Sequence, residues 1–324
     1  MRKLMDITHI EEAYKRLKEI ANVTPVSTSK ALNELKSASI YLKCENFQRT
    51  GSFKFRGAYN AVFLLSPKER ARGVIAHSSG NHAQALALAA RLFSISCVVV
   101  MPSNSSEVKI HAAREYGAEV VMCKPTLEDR IRTTEEIIAN SGYKIIHPYD
   151  NDDVIAGAGT GVYELIDEVK ELDYIFCPIG GGGLISGTSI AAKGMLPNIK
   201  VIGVEPKLAN DAYLSFTTGK LVPNVNTDTI ADGLRTSLSQ KTFDIIRENV
   251  DDIVLVSEEE IVGAMRFIWE ELKFVLEPSG AVSLAGLLKG AVDVKGKRVG
   301  VILSGGNVDL EGFFKKYISD KCIG

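Results

Sequence analysis

The chain lacks an excess of charge of either sign: 38 Lys+Arg stand against 40 Asp+Glu in 324 residues, a net charge of −2. With no long basic run there is no sustained positive field, which argues against a nucleic-acid or membrane-surface binder. Long apolar runs are missing too, and none approaches the roughly 20 residues of a membrane span. Nothing behind Met1-Arg2-Lys3-Leu4-Met5-Asp6 has the apolar core of a signal peptide. A soluble, cytoplasmic protein is expected. Cysteine is sparse: Cys44, Cys97, Cys123, Cys177 and Cys322 are odd in number, scattered and without a Cys-x-x-Cys pair. That pattern suits buried reduced thiols rather than a disulfide framework or a zinc knot. Linkers rich in Gly, Ser or Pro, low-complexity tracts and internal repeats are also absent, so domain boundaries have to be drawn from the order of strands and helices.

What is present is an ordinary globular composition, 45% hydrophobic and 24% charged. The length suggests about two domains at roughly 100–200 residues each. Short apolar runs alternate with helix-favouring segments. Strands are expected at 73–76, 97–101, 119–122, 174–177, 201–204 and 299–303, with helices at 83–93, 107–116 and 127–140 between the early ones. Strands that are apolar throughout and joined by helices indicate parallel sheets covered on both faces, an α/β fold. Open parallel sheets bind ligands at the carboxyl ends of their strands, so the residues after each strand carry the functional signal.

Four glycines, Gly180, Gly181, Gly182 and Gly183, follow the strand at 174–177 and precede a helix-like segment from Leu184. Consecutive glycines at a helix start present bare N–H groups and form a phosphate cradle. A phosphate-loop NTPase needs Lys-Ser/Thr directly after its glycines, and none is there. A dinucleotide site remains open on this segment: Gly181-x-Gly183 has Ser186 where a third Gly or Ala is expected, yet Glu205 ends the next strand about where a ribose-binding acid would be. His77-Ser78-Ser79-Gly80-Asn81-His82 follows the strand at 73–76, and Ser304-Gly305-Gly306-Asn307 follows the strand at 299–303. Three strand ends thus offer glycine with small neutral donors, a site for a phosphorylated ligand. Lys54, in Ser52-Phe53-Lys54-Phe55-Arg56-Gly57, would have its pKa lowered by burial between Phe53 and Phe55, which makes it a usable amine for a Schiff base.

Taken in order, Asn22-Val23-Thr24-Pro25-Val26, Ser52-Phe53-Lys54-Phe55-Arg56-Gly57-Ala58, Ser78-Ser79-Gly80-Asn81-His82, the four-glycine loop and Ser304-Gly305-Gly306-Asn307-Val308-Asp309 resemble the fold-type II pyridoxal-phosphate (PLP) enzymes of the tryptophan synthase β type. Within these the likeness is to the serine/threonine dehydratase and racemase group, and it covers nearly the whole chain. It displaces the dinucleotide reading. The resemblance implies that Lys54 carries PLP, that Phe53 and Gly233 line the cofactor site, and that 180–183 with Leu184 hold the phosphate. It implies further that Asn81 meets the ring 3′-oxygen and Ser304 the pyridine nitrogen. It also implies a large domain of residues 1–72 plus 150–324, a small mobile domain of 73–149, and a homodimer.

The same resemblance places Lys54 and Ser79 as proton carriers on opposite faces of the substrate, the minimum for racemisation. Ser78, Ser79, Asn81, His82 and Arg130 would meet a small amino acid such as serine. In Glu205-Pro206-Lys207-Leu208-Ala209-Asn210-Asp211, Glu205, the Ala209 carbonyl and Asp211 match the family's divalent-cation site, an all-oxygen set suited to Mg²⁺ or Ca²⁺, with Mn²⁺ a further option. Thr229-Ile230-Ala231-Asp232-Gly233 and Glu277-Pro278-Ser279-Gly280-Ala281 resemble the racemases of the group, and no C-terminal regulatory domain is expected. Thr50, Gln84, Tyr116, Lys273 and Asn307 match an ATP effector site found in some of these enzymes. The expected activity is racemisation of serine with β-elimination to pyruvate and ammonia. The alternative is a dehydratase of L-serine, L-threonine or threo-3-hydroxyaspartate that racemises little.

Overall fold

The computed structural model describes residues 5–78, 80–105, 107–224 and 227–317. Its strands are β1 (Val26–Ser27), β2 (Ser39–Cys44), β3 (Val74–His77), β4 (Cys97–Pro102), β5 (Glu119–Cys123), β6 (Lys144–Ile145), β7 (Tyr174–Pro178), β8 (Lys200–Pro206), β9 (Asp252–Val256) and β10 (Arg298–Leu303). They form a six-stranded sheet in the order β1-β2-β10-β7-β8-β9 and a four-stranded sheet in the order β5-β4-β3-β6. Every neighbouring pair is parallel except β1 with β2. The exception has a simple cause: the connection from Ser27 to Ser39 holds only a seven-residue helix, Lys30–Lys36, which is short for a parallel crossover.

Burial explains the expected strands. β4 is buried at all six positions, and β10 at five of its six, as a sheet covered on both faces requires. Helix starts follow local capping chemistry. Ser66, Ser239 and Ser257 each close a capping box with the residue three further on, satisfying N–H groups that have no partner within the helix.

The helix Lys54–Phe63 lies where the two sheets' layers meet. Phe55, Ala58 and Val62 pack with Val74, Ala76 and Leu86 in the core of the smaller sheet. Its other side presses on the helix Asp152–Val169 so closely that a Cβ at Gly57 would stand 2.6 Å from the Val154 carbonyl, and one at Gly157 2.5 Å from the Arg56 carbonyl. Only glycine permits that approach.

A fully buried guanidinium fixes the same helix. Arg56 makes paired bonds to Glu45 (2.8 and 2.9 Å) and to Glu164 (2.8 and 2.8 Å). Lys43, also fully buried, reaches Glu164 at 2.8 Å and the Thr24 carbonyl at 2.7 Å. Two cations and two carboxylates thus balance one another inside the protein, as buried charges must.

Candidate active site

Lys54 is the first residue of its helix. The turn before it is stitched to the loop after β10: Phe53 N donates to the Ser304 carbonyl at 3.1 Å, Gly306 N to the Gly51 carbonyl at 2.9 Å, and Ser52 bridges Gly305. Lysine and serine therefore share one wall of a cavity with about 1090 Å³ of empty space, its open mouth included. Lys54 Nζ donates to the Pro148 carbonyl at 2.9 Å and lies 5.0 Å from the centre of the Phe53 ring. Burial lowers its pKa from 10.5 to about 8, against an opposing pull from the Glu277 carboxylate. The expected sandwich between two phenylalanines is half right. Phe55 points into the smaller sheet's core beside Tyr59, because consecutive helical side chains do not face the same way.

The glycine loop lies between the carboxyl end of β7 and the helix Gly183–Met195. Each of its four positions is closed to a side chain. A Cβ would come to 2.9 Å from Leu234 Cα at Gly180, 2.3 Å from the Tyr149 ring at Gly181, 2.7 Å from Thr242 at Gly182, and 2.8 Å from Tyr149 Cβ at Gly183. Gly182, the residue capping the helix, has φ +86°. Bare N–H groups at a helix start form an anion site, and Leu184 lies in the same cavity wall.

The turn after β3 supplies the facing residues. Ser78 Oγ accepts from Gly80 N at 3.4 Å, and Ser79 lies outside the described residues. Asn81 opens the helix Asn81–Leu92, its Nδ2 donating to Glu277 Oε1 and its Oδ1 accepting from Asn307 Nδ2 at 2.9 Å. His82 is buried with Nε2 bonded to the Ile146 carbonyl at 2.9 Å, which requires the proton on Nε2 and leaves Nδ1 an acceptor without a partner among the described residues. Burial first, and the Lys54 charge next, press its pKa down to about 3, so it stays neutral.

Among the described residues Ser304 Oγ has a single long hydrogen bond, 3.4 Å to the Ser279 carbonyl, and Ser279 Oγ accepts from Gly233 N at 2.9 Å. Arg130 also lines the cavity, and its Nε has no hydrogen-bond partner among the described residues. One cavity thus gathers a glycine loop at a helix start, a primary amine of lowered pKa, an amide and a loosely engaged hydroxyl.

These features decide a comparison with known proteins. A family model described as "Pyridoxal-phosphate dependent enzyme" matches residues 17–305. The chain belongs to the pyridoxal-phosphate-dependent enzymes. It is 48% identical to a serine racemase of Dictyostelium discoideum over 94% of this chain and 96% of that one. It is 49% identical to an L-threo-3-hydroxyaspartate ammonia-lyase of Saccharomyces cerevisiae, covering 93% of each chain. The solved structure of maize serine racemase superposes with a TM-score of 0.93 at 38% identity, covering 96% of each chain.

A second polar cluster of this PLP enzyme lies at the end of β8. Glu205 accepts from Ala212 N at 2.9 Å and from Tyr213 N at 2.8 Å, at the start of the helix Asp211–Thr218. Those bonds occupy the acid that the dinucleotide reading would have given to a ribose. Asp211 Oδ2 accepts from Leu238 N at 2.9 Å, while its buried Oδ1 has no partner among the described residues. Burial pushes Glu205 up to about 9, with Asp211 adding to the rise, and Asp211 to about 6. Two buried carboxylates without a balancing cation among the described residues suit a divalent ion, with the buried Ala209 between them in sequence. Among the described residues no group of three or more His, Cys, Asp or Glu forms a metal cluster, so a bound ion would need the carbonyl and water as further ligands.

The expected effector residues are only partly brought together. Asn307 Nδ2 bonds the Thr50 carbonyl at 2.7 Å as well as Asn81, and Gln84 is buried one turn along the helix from Asn81. Tyr116 packs against the smaller sheet's core, and Lys273 is exposed, donating to the Glu270 carbonyl. No hydrogen bond among the described residues joins these two to the others.

Tyr149, Lys109 and Glu277 are among the wall residues that the sequence left without a site role. Tyr149 fills the space that the glycines leave empty. Lys109 pairs with Asp232 from the opposite side of the cleft, and its Nζ lies 3.8 Å from Glu277 Oε2. For Glu277 the segment Glu277-Pro278-Ser279-Gly280-Ala281 was the available signal, though it says nothing of the contact with Asn81.

Proposed function

We propose that this chain is a serine racemase that also converts serine to pyruvate and ammonia. The observation that carries the reading is Lys54, an amine of lowered pKa held beside a phosphate cradle, in a chain about half identical to a serine racemase. In this reading Lys54 binds the cofactor, 180–183 and Leu184 hold its phosphate, Asn81 meets the ring oxygen, Ser304 the ring nitrogen, and Phe53 and Gly233 complete the walls. When bound, PLP supplies an electron sink for the electrons released at the substrate's α-carbon.

The chain's own residues then decide the outcome. Lys54 Nζ is the proton carrier on one face, and its lowered pKa makes the free amine accessible near neutral pH. Ser79 is the carrier on the other face, a role that rests on the resemblance of Ser78-Ser79-Gly80-Asn81-His82. A proton returned from the Ser79 side inverts the α-carbon, whereas departure of the β-hydroxyl leads to pyruvate and ammonia. Neutral His82 and the donors of Ser78 and Asn81 orient the substrate, and Arg130 takes a carboxylate. Ser79→Ala should abolish D-serine formation from L-serine. A variant that racemises at the parental rate would sink the two-carrier assignment.

A dehydratase of threo-3-hydroxyaspartate is the second reading, favoured by the cavity-facing Arg130, which would suit a second substrate carboxylate. Relative rates on L-serine and L-threo-3-hydroxyaspartate separate the two.

Glu205, the Ala209 carbonyl and Asp211 bind Mg²⁺, or Ca²⁺ or Mn²⁺ in its place. Asp211 Oδ1, buried and without a partner among the described residues, supports this. ATP acts as an effector through Thr50, Gln84, Tyr116, Lys273 and Asn307, supported by the Thr50–Asn307–Asn81 hydrogen bonds. Residues 73–149 form a small domain that closes on residues 1–72 plus 150–324, and the protein works as a cytoplasmic homodimer. Among the described residues no helix is long and apolar enough to cross a membrane.

A further inference from the structure

We infer that Glu277 is a positioning residue that sets which end of the Asn81 carboxamide faces the cofactor. The inference rests on the reading above, in which Asn81 meets the cofactor's ring oxygen. An asparagine amide has a donating end and an accepting end of nearly the same shape, so its orientation is fixed only by what its neighbours can give or take. Here the neighbours fix it from both sides.

The chain of polarity starts at the Thr50 carbonyl, which can only accept. Asn307 Nδ2 donates to it at 2.7 Å and donates its other hydrogen to Asn81 Oδ1 at 2.9 Å. Asn81 Oδ1 is therefore on the Asn307 side, and Asn81 Nδ2 faces Glu277 Oε1, to which it donates. Turning the amide over would set two NH₂ groups against each other on one side and an oxygen against a carboxylate on the other. One Asn81 N–H is thus used by Glu277, and its second is left to donate to an acceptor such as the ring oxygen.

Glu277 is placed for this role. It is 1% exposed and precedes the helix Pro278–Lys289. Gly305, next to Ser304, leaves it room, because a Cβ there would lie 2.3 Å from Glu277 Oε1. Its other oxygen has no hydrogen-bond partner among the described residues and lies 3.8 Å from Lys109 Nζ. The balancing cation therefore approaches Oε2, leaving Oε1 to Asn81. Without Glu277 the Asn81 amide is held from the Asn307 side alone and its donor toward the cofactor is loosened, whereas without Asn81 the same donor is gone and Glu277 has nothing left to position.

The test is a double-mutant cycle read by cofactor binding. Apoproteins carrying Glu277→Ala, Asn81→Ala and both are titrated with pyridoxal phosphate, following affinity and the visible absorption band. Each single variant should lose roughly tenfold or more in affinity and move the band, and the double should fall within about threefold of the weaker single. Parental affinity and band in Glu277→Ala, or losses that multiply in the double, would overturn the inference. Glu277→Gln keeps an accepting oxygen and serves if the alanine variant fails to fold. It should stay within about threefold of the parent, and a tenfold loss would count against orientation by acceptance. Borohydride reduction followed by peptide mapping separates the underlying reading: label on a lysine other than Lys54 would sink the site assignment, and this inference with it.

Discussion

Lys54 Nζ and the Pro148 carbonyl are joined by a 2.9 Å hydrogen bond that links the head of one helix to the segment after β6. That segment also holds His82 through the Ile146 carbonyl, so the lysine and the turn at Asn81 are tied to the same stretch of chain. Burial lowers the Lys54 pKa from 10.5 to about 8. The folded apoprotein therefore binds fewer protons at this site than the unfolded chain does between these two values, and its contribution to stability rises with pH across that window. Since only the neutral amine attacks an aldehyde, the rate of pyridoxal phosphate capture should climb about tenfold per pH unit below the folded pKa and level off above it. Stopped-flow absorbance across pH 6–10 checks this, and Lys54→Ala should show no covalent capture at all.

Gly181 and the Tyr149 ring share a space that admits only one of them, with 2.3 Å between the ring and a Cβ built at the glycine. Gly181→Ala should destabilise the fold by about 1–3 kcal/mol, as overpacking usually does. It should also weaken pyridoxal phosphate binding, because the loop that offers its N–H groups must move. Chemical denaturation and a cofactor titration measure the two effects separately.

Arg56 satisfies Glu45 and Glu164 at once. Arg56→Met leaves two buried carboxylates with only Lys43 to balance them, and the expected cost is about 3–5 kcal/mol. Urea denaturation of the apoprotein gives the value. A loss below about 1 kcal/mol would mean that the carboxylates find other partners or take up protons at little cost.

The α/β class and the PLP motifs were legible because they are local. β4 is apolar at every position, and the glycine loop, the Lys54 segment and the Ser304 turn are contiguous in sequence. What was not legible depends on residues far apart. β6 is two exposed residues, Lys144 and Ile145, with no apolar run to mark them. Phe55 looks equivalent to Phe53 in the sequence, and only the helix geometry turns it into the core. Glu277 lies 196 positions from the asparagine it contacts, and Lys109 and Asp232 come from segments that meet only across the cleft. Tyr149 enters the site because glycines elsewhere leave room for its ring.

Glu205 and Asp211 offer a direct check of the proposed cation site. Adding Mg²⁺ to chelator-treated protein should raise the melting temperature, as any ligand that binds only the folded state does. Asp211→Asn should remove most of that response, since it discharges the carboxylate bearing the unpartnered Oδ1. Equal melting temperatures in Mg²⁺ and in EDTA would contradict the assignment.

Racemisation is put to the test by giving the PLP-loaded protein L-serine and counting D-serine and pyruvate separately, by chiral chromatography and a coupled assay. The predicted result is substantial D-serine together with pyruvate, both lost in Lys54→Ala. Pyruvate without D-serine, or turnover of threo-3-hydroxyaspartate with no inversion of serine, would contradict the racemase reading.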